Sequence, residues 1–266
     1  MHVTHIDGGV GMVEQRRDSM LARAVRVFET FSPDDTELSV SEIARRSSLH
    51  VSTASRLIAE LVEHGLLERG PARQVRMGRR MWELGLRASP TLFLRDTAMP
   101  YLEGLHAAVG HHAQLGVLDG DDVLFIERLS TRRSVEAVSR IAGRLPLHVS
   151  ACGHVLLAYG PPELTSTILA EPLTARTRST ITDPSALARR LAEVRAGGYA
   201  YLRGHVREDA AALAVPVRDG VHNVVASLSV VVPDDDGALG HLPTLVAAAT
   251  GMSRALSTVR FRSARD

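Results

Sequence analysis

The stretch LPLHVSACGHVLLAYG, residues 145–160, contains residue types that could form a reactive site. It holds the only cysteine of the 266-residue chain, Cys152, with His148 four residues before it and His154 two residues after it. A thiol beside an imidazole can act as a nucleophile, and the same side chains can ligate zinc. The cluster is therefore compatible with an enzyme, with a metal site, or with a packed wall.

The metal and enzyme interpretations have limited support in the spacing. A zinc site needs three or four protein ligands, and only His148 and Cys152 fall on one predicted helical face. His111 and His112 could complete such a set, but no spacing requires it. A thiol at a helix start is expected to have a lowered pKa, although a lone cysteine is most often a buried apolar residue. We predict no catalytic residue, no cofactor and no metal, and leave open whether Cys152 is core or a ligand wall.

The element that carries the cluster is predicted to be a short capped helix between Ser150 and Gly160. Its first turn presents unpaired backbone N–H groups, and the helix dipole adds partial positive charge there. The small residues Ala151 and Gly153 allow a ligand carboxylate to approach this backbone. The helix start is therefore a candidate anion site, with Cys152 as part of its wall.

The surrounding C-terminal half alternates strand pairs with helices. Helical segments are predicted at 94–110, at 183–198 with Asp183 as cap, and at 239–259. Strand pairs are predicted at 112–130, around an Asp-Gly turn, and at 212–233. This order indicates an α+β domain built on an antiparallel sheet.

The N-terminal part has a different organisation, with three helices and then a hairpin. The first helix begins after Ser19 and the second after Ser41, while the third ends at Gly65. The apolar side of the third helix is predicted to comprise Val51, Ala54, Leu57, Ile58, Leu61 and Val62. A short turn between the last two helices, followed by a hairpin at 66–78, predicts a winged helix-turn-helix.

The polar side of the third helix and the hairpin supply candidate DNA contacts. Hydroxylated small residues at the helix start permit close approach to DNA, and Arg56 can reach a guanine or a phosphate. Residues 45–80 contain eight arginines and three glutamates, although any solvated helix also shows a polar face. Glu60 and Glu63 restrict base reading to the N-terminal half of the helix. The predicted contacts are His50, Ser52, Thr53, Ser55, Arg56, Arg69, Arg73 and Arg76.

The overall composition is that of a globular protein. Apolar residues make up 45% of the chain, the net charge is +1, and all 31 basic residues are arginine. One cysteine cannot form an internal disulfide, which fits a reducing cytoplasm. No apolar run approaches the roughly 18 residues of a membrane helix, and the first residues do not form a secretory signal. We expect a cytoplasmic protein with no membrane partner, and a disordered tail over residues 1–18.

Four ordered stretches resemble the IclR family of bacterial transcriptional regulators. They are SMLARAVRVFETF (19–31), LSVSEIARRSSLHVSTASRLIAELVEHGLLER (38–69), LPLHVSACGHVLLA (145–158) and GGYAYLRGHVREDAAALAVPVRDGVHNVVASLSV (197–230). The resemblance implies a winged helix-turn-helix over 19–78, a linker helix over 79–94 and a GAF-like effector-binding domain over 95–266. It also implies a dimer or a dimer of dimers that binds an operator as a repressor or an activator.

The resemblance also implies where an effector binds. Ala151 and Cys152 occupy effector-contacting positions of the family, and Ser229 matches a second polar contact. The full predicted set is Ser150, Ala151, Cys152, Leu202, Ala212, Ser229 and Val231. In the linker, Trp82, Leu84 and Leu86 are candidates for apolar contact between subunits, and they could equally be core.

The sequence departs from the family pattern at positions that bear on the effector. His154 replaces a usual lysine, and Val231 replaces a serine found in many relatives. The segment after Tyr199-Ala200 contains Leu202, Gly204, His205 and Asp209 where acidic residues and a later glycine are common. With fewer polar anchors than a site for a two-carbon acid, the pocket is expected to take a larger or more hydrophobic effector. Candidates are an aromatic acid, a lactone or a secondary-metabolite intermediate.

Three functions remain to be compared. A ligand-responsive transcription factor uses every predicted part and is favoured. A ligand-binding module whose helix-turn-helix serves only dimerisation predicts that Arg56→Ala has no effect. A Cys/His enzyme or metal site at 148–154 predicts that Cys152→Ala abolishes turnover or removes a metal.

Overall fold

The computed structural model of the chain describes residues 18–32, 35–87, 90–131 and 143–258. The predicted tail, apart from Asp18, lies outside these residues. The chain divides into two compact units, residues 1–89 and 90–266. The first unit has the three helices and small sheet of a winged helix-turn-helix, and the second has helices on an antiparallel sheet, which confirms the predicted two-domain α+β fold.

The described residues of the first unit form four helices and three short strands. The helices are α1 (Met20–Phe28), α2 (Val40–Arg46), α3 (Val51–Glu63) and α4 (Arg79–Leu86). The strands are β1 (Glu37–Leu38), β2 (Leu67–Arg69) and β3 (Val75–Met77), and they form an antiparallel sheet in the order β1-β3-β2. A single 3₁₀ turn, Pro71–Arg73, joins β2 to β3 and closes the predicted hairpin.

The core of the first unit follows the predicted periodicity of α3, with one exception. Ala54, Leu57, Ile58 and Leu61 are buried against residues of α1 and α2. Val51, predicted on the same side, is 50% exposed because it occupies the first position of the helix, where the chain turns away from the core.

The cap of α2 differs from the predicted one. Ser39, and not Ser41, precedes the helix in an extended conformation, and its side chain accepts a hydrogen bond from the Glu42 amide. Ser39 and Glu42 have the Ser-x-x-Glu spacing of a capping box, which explains why the helix begins two residues earlier than expected. Ser19, in contrast, caps α1 as predicted.

The turn between α2 and α3 is held by local bonds. The Leu49 amide donates to the carbonyl of Ala44 at 2.9 Å, and Ser48 takes a positive φ of 55°. Leu49 then packs against the core of the unit. These contacts bring α3 out of the turn at a fixed angle to α2.

The helix predicted over 79–94 is divided in the structure. It ends at Leu86, and Arg87 is already extended. Pro90 begins the next helix, α5. No residue of α4 is buried, and Trp82, Leu84 and Leu86 are 69%, 41% and 45% exposed.

Over 90–131 and 143–258, the second unit forms five helices and six strands. The helices are α5 (Pro90–Val109), α6 (Ala151–Tyr159), α7 (Pro162–Ala170), α8 (Pro184–Gly197) and α9 (Leu242–Thr258). A 3₁₀ segment, Ala238–His241, precedes α9, so the first turn of the predicted last helix is not α-helical. The strands are β4 (His112–Asp119), β5 (Asp122–Leu129), β6 (Arg144–Pro146), β7 (Ala200–Arg203), β8 (Ala210–Arg218) and β9 (Val224–Pro233).

The six strands form one sheet in the order β6-β5-β4-β9-β8-β7, and every pair is antiparallel. Strand alternation sends neighbouring residues to opposite faces. One face packs in a core with α5 and α9, and the other packs in a second core with α6 and α8. The predicted antiparallel sheet is confirmed, and the face under α6 carries the candidate site.

Candidate functional site

A cavity of about 60 Å³ lies between the start of α6 and the sheet. All seven residues of the predicted effector set lie on its wall: Ser150, Ala151, Cys152, Leu202, Ala212, Ser229 and Val231. The strand register explains the grouping, because Ala212 pairs with both Leu202 and Val231 and these side chains share one face. The structure therefore brings together residues separated by up to 81 positions in the sequence. Their role in effector binding stays a prediction.

The roof of the cavity is the first turn of α6. Ser150 caps the helix by accepting a hydrogen bond from the Gly153 amide at 3.0 Å, as predicted. The amides of Ala151 and Cys152 make no hydrogen bond to any described residue, as expected in a first turn. Both residues are buried and line the cavity, which leaves two N–H groups available to a ligand oxygen.

Gly153 is required by close packing beneath the same turn. A Cβ at this position would lie 2.0 Å from the carbonyl oxygen of Leu147, which is a backbone atom. Only glycine allows the chain before α6 to approach the helix this closely. The roof of the cavity is therefore fixed by backbone contact.

Cys152 is a buried thiol, and its environment differs from the predicted one. Its Sγ donates a weak hydrogen bond to the carbonyl of Ser227 at 3.7 Å. Burial raises the pKa of the Cys152 thiol, which is the opposite of the direction expected for a thiol at a helix start. The neutral thiol forms part of the wall, and the expected lowering of its pKa is wrong.

His148 and His154 are engaged in structural hydrogen bonds. His148 lies in the turn before α6, and not on a helical face with Cys152 as predicted, and its Nε2 donates to the carbonyl of Thr174 at 3.0 Å. The Nε2 of His154 donates to the carbonyl of His148 at 2.8 Å. Burial lowers the pKa of His154 to about 4, so its imidazole is neutral. Within the described ranges, no three His, Cys, Asp or Glu side chains are grouped as metal ligands.

Eight further residues line the cavity and were not predicted: Gln114, Phe125, Val149, His205, Val206, Arg207, Ala210 and Ala211. Gln114 pairs with Ser229 across β4 and β9, so strand alternation places its side chain on the same face. A correct strand register would have predicted this residue. Burial lowers the pKa of His205 to about 4, with a smaller contribution from Arg190, so it faces the cavity as a neutral ring.

The loop 204–209 between β7 and β8 forms one side of the cavity through His205, Val206 and Arg207. The hydroxyl of Thr177 donates to the carbonyl of Gly204, and that of Thr180 donates to the carbonyl of His205 at 2.7 Å. Gly204 has a φ of +71°, which favours glycine. These bonds define the position of the loop over the sheet.

The predicted DNA contacts of α3 are placed at its exposed start. Ser52, Ser55 and Arg56 are exposed, and Thr53 is half-buried. His50 caps the helix, and its Nδ1 lies 2.8 Å from the hydroxyl of Ser52. His50 thus caps the start of α3 and also has an exposed ring that could contact DNA.

The arginines of residues 45–80 fall into two groups. Four of them form ion pairs with acidic neighbours, and they are Arg45, Arg46, Arg76 and Arg79. The other four make no ion pair with a described residue, and they are Arg56, Arg69, Arg73 and Arg80. Arg76, a predicted DNA contact, is bound by Glu68 at 3.2 Å and lies 3.6 Å from Glu37. The unpaired group is the more available to phosphates, because no internal partner must be displaced.

A winged helix-turn-helix with an exposed polar start of α3, followed by an α+β unit with a cavity beneath α6, defines a two-domain DNA-binding regulator. Within the described ranges, no helix is both long and apolar enough to cross a membrane. Residues 20–71 match the IclR helix-turn-helix domain, and residues 89–258 match the domain described as bacterial transcriptional regulator IclR C-terminal. The chain belongs to the IclR family of bacterial transcriptional regulators.

Individual relatives agree with this assignment. The chain is 32% identical to the HTH-type transcriptional regulator XynR of Escherichia coli over 209 residues, which cover 78% of this chain and 83% of XynR. It is 43% identical to an IclR homolog of Microbacterium hydrocarbonoxydans whose crystal structure is a complex with 4-hydroxybenzoate. That structure covers 91% of this chain and all of its own, with a TM-score of 0.86. The IclR protein of Thermotoga maritima is 26% identical, with a TM-score of 0.73 over 89% of this chain and 98% of its own.

Proposed function

We propose that this regulator binds a small aromatic carboxylate in the cavity beneath α6, and that binding alters its affinity for an operator. The observation that carries this proposal is the convergence of seven predicted contacts on one mainly apolar cavity with two unpaired amides in its roof. Small-molecule sites typically combine an apolar wall with a few convergent polar groups.

The chemistry of the wall favours a ring with a polar group. Phe125, Leu202 and Val231 offer apolar surface, and Ser229 and Gln114 are buried polar residues beside them. The amides at the start of α6 favour a negatively charged oxygen. The relative complexed with 4-hydroxybenzoate supports an aromatic acid over a two-carbon acid.

The first unit is proposed to read DNA with the start of α3. Arg56 is exposed and makes no ion pair with a described residue, so it can contact a base edge or a phosphate. A dimer, or a dimer of dimers, would present two such helices to a pseudo-palindromic site in the cytoplasm. The effector would shift the population of states that fit this site, and the shift is limited by its differential affinity for them.

The alternative of a Cys152 enzyme has less support. A nucleophilic thiol needs a lowered pKa or an adjacent base, whereas burial raises the pKa of Cys152. The nearby histidines are committed to backbone carbonyls by their Nε2 atoms. As part of the cavity wall, the Cys152 thiol needs neither a lowered pKa nor an adjacent base.

The DNA arm of the proposal is tested by fluorescence anisotropy on the duplex upstream of the gene that encodes the chain, with a scrambled duplex for comparison. We expect Arg56→Ala to weaken specific binding by about 1–3 kcal/mol if Arg56 reads a base. Arg45→Ala is the matched control, because Arg45 is also exposed but is paired with Glu42. Equal, weak binding to both duplexes by the unchanged protein would favour a helix-turn-helix that serves only dimerisation.

The effector arm uses the same assay and a thermal shift. We expect 4-hydroxybenzoate to raise the melting temperature and to change the DNA affinity, whereas glyoxylate has little effect. Stabilisation by glyoxylate-sized acids alone would contradict the proposed effector class.

A further inference from the structure

Arg207 is the only permanently charged side chain among the described residues that line the cavity. The start of α6 offers only partial charges, and burial lowers the pKa of His205 enough to keep its ring neutral at pH 7. A carboxylate in a cavity of about 60 Å³ would therefore have one full positive charge on the surrounding wall.

Arg207 is held by an acidic residue of the same loop. Its Nε donates to Asp209 Oδ1 at 2.9 Å, and its second terminal nitrogen donates to Oδ2 at 2.7 Å. This two-bond arrangement is the geometry in which arginine recognises any carboxylate. The guanidinium is thus already presented in the form that a carboxylate ligand would use.

The two partners of this pair have unequal access to solvent. The side chain of Arg207 is 30% exposed, and that of Asp209 is 56% exposed. Asp209 can recover much of its hydration when it leaves Arg207, and exposed ion pairs contribute little net stability. A ligand carboxylate can therefore replace the Asp209 carboxylate on Arg207 without a large rearrangement.

We propose that Arg207 recognises the carboxylate of the effector and that Asp209 is the internal anion which the effector displaces from it. This inference rests on the proposed aromatic-acid effector and assigns the residues that select an anion over a neutral ligand.

The loop supports such a role because its backbone is anchored independently of the ion pair. Thr177 and Thr180 bind the carbonyls of Gly204 and His205. Arg178 and Glu208 form a separate ion pair at 3.2 Å. Loss of the Arg207–Asp209 pair should therefore leave the wall in place.

The test is isothermal titration of the full chain with 4-hydroxybenzoate and with its neutral isostere 4-hydroxybenzamide. We expect Arg207→Gln to weaken 4-hydroxybenzoate binding at least tenfold and to leave 4-hydroxybenzamide binding within twofold. We expect Asp209→Asn to tighten 4-hydroxybenzoate binding severalfold, because this carboxylate no longer competes for Arg207. If the Arg207–Asp209 pair were only structural, each substitution would change the affinities for both ligands in the same direction.

The matched control is Arg203→Gln, because Arg203 at the end of β7 pairs with Asp234, which follows β9, and does not line the cavity. It should leave both affinities unchanged. Unchanged 4-hydroxybenzoate affinity in Arg207→Gln, or equal loss of both ligands, overturns the assignment of Arg207. Weaker or unaltered binding in Asp209→Asn overturns the competition. If the unchanged protein binds neither ligand, the proposed effector fails, and this inference fails with it.

Discussion

The two candidate surfaces use similar residue types in opposite environments. On α3, Ser52, Ser55 and Arg56 are exposed, and none of them belongs to the core of the first unit. Around the cavity, Ser150, Cys152 and Ser229 are at least 94% buried, and Cys152 belongs to the core under α6. An exposed contact can be removed with little cost to folding, whereas a buried polar group is costly to leave unpaired. The DNA surface and the first unit's stability should therefore be separable by mutation, and the buried part of the cavity wall and the second unit's stability should not.

The largest expected effect comes from two glycines, one in each unit. A Cβ on Gly153 would lie 2.0 Å from the Leu147 carbonyl oxygen, and a Cβ on Gly78 would lie 2.1 Å from that of Gly65. Both contacts are with backbone, which cannot rotate away, so we expect Gly153→Ala and Gly78→Ala each to cost about 3–5 kcal/mol of unfolding free energy. Scanning calorimetry should show each loss in a different unit.

Functional assays then sharpen this contrast. Gly78→Ala should remove DNA binding and keep effector binding. Gly153→Ala should remove effector binding and keep DNA binding. Gly104→Ala is the control, because nothing lies within 4 Å of its Cβ position in α5, and it should stabilise the protein by up to about 1 kcal/mol. Normal stability of Gly153→Ala would show that the roof of the cavity is not fixed as described.

An intermediate effect is expected from pH through His154 of the second unit. The pKa of His154 is about 4 in the folded protein and about 6.5 when the chain is unfolded. Between these values the unfolded chain binds more protons, so the stability of the unit falls as the pH is lowered from 6.5 towards 4. The loss amounts to about 3 kcal/mol at pH 4 from this residue. Above pH 6.5 it contributes no pH dependence.

Urea denaturation followed by circular dichroism at several pH values measures this loss. His154→Gln removes the titrating group and can keep a donor towards the His148 carbonyl. The variant should therefore have a shallower pH dependence between 6.5 and 4 than the unchanged protein. Identical slopes for the two proteins would exclude His154 as the source.

The smallest expected effect tests the corrected cap of α2. Ser39→Ala removes the acceptor of the Glu42 amide and should cost about 1 kcal/mol. Ser41→Ala removes an exposed hydroxyl within the helix and should change the unfolding free energy by less than about 0.5 kcal/mol. Equal costs for the two variants would contradict the cap seen in the structure.

Much of the fold could be predicted because it depends on local patterns. The buried positions Ala54, Leu57 and Ile58 follow helical periodicity. The caps Ser150 and Asp183 follow from residue type and position, and their side chains accept the expected bonds. Of the two predicted surfaces, the DNA contacts were derived largely from such patterns, whereas the effector set depended on family resemblance.

The remaining features depend on distant contacts that local patterns do not contain. Gln114 joins the cavity only through its register with Ser229, 115 residues away. The pKa of Cys152 follows from burial by the assembled second unit, and a helix start alone predicts the opposite direction. The position of Arg207 on the cavity wall requires the loop 204–209 to fold against Thr177 and Thr180.

The single tryptophan of the chain lies on α4, in the first unit, where its indole is 69% exposed. The second unit has no indole, so intrinsic emission excited at the red edge originates from Trp82 alone. The described residues that line the cavity include no tryptophan. A change in this emission on adding an effector would therefore report on the surroundings of Trp82 in the first unit, without a label on the protein or on DNA.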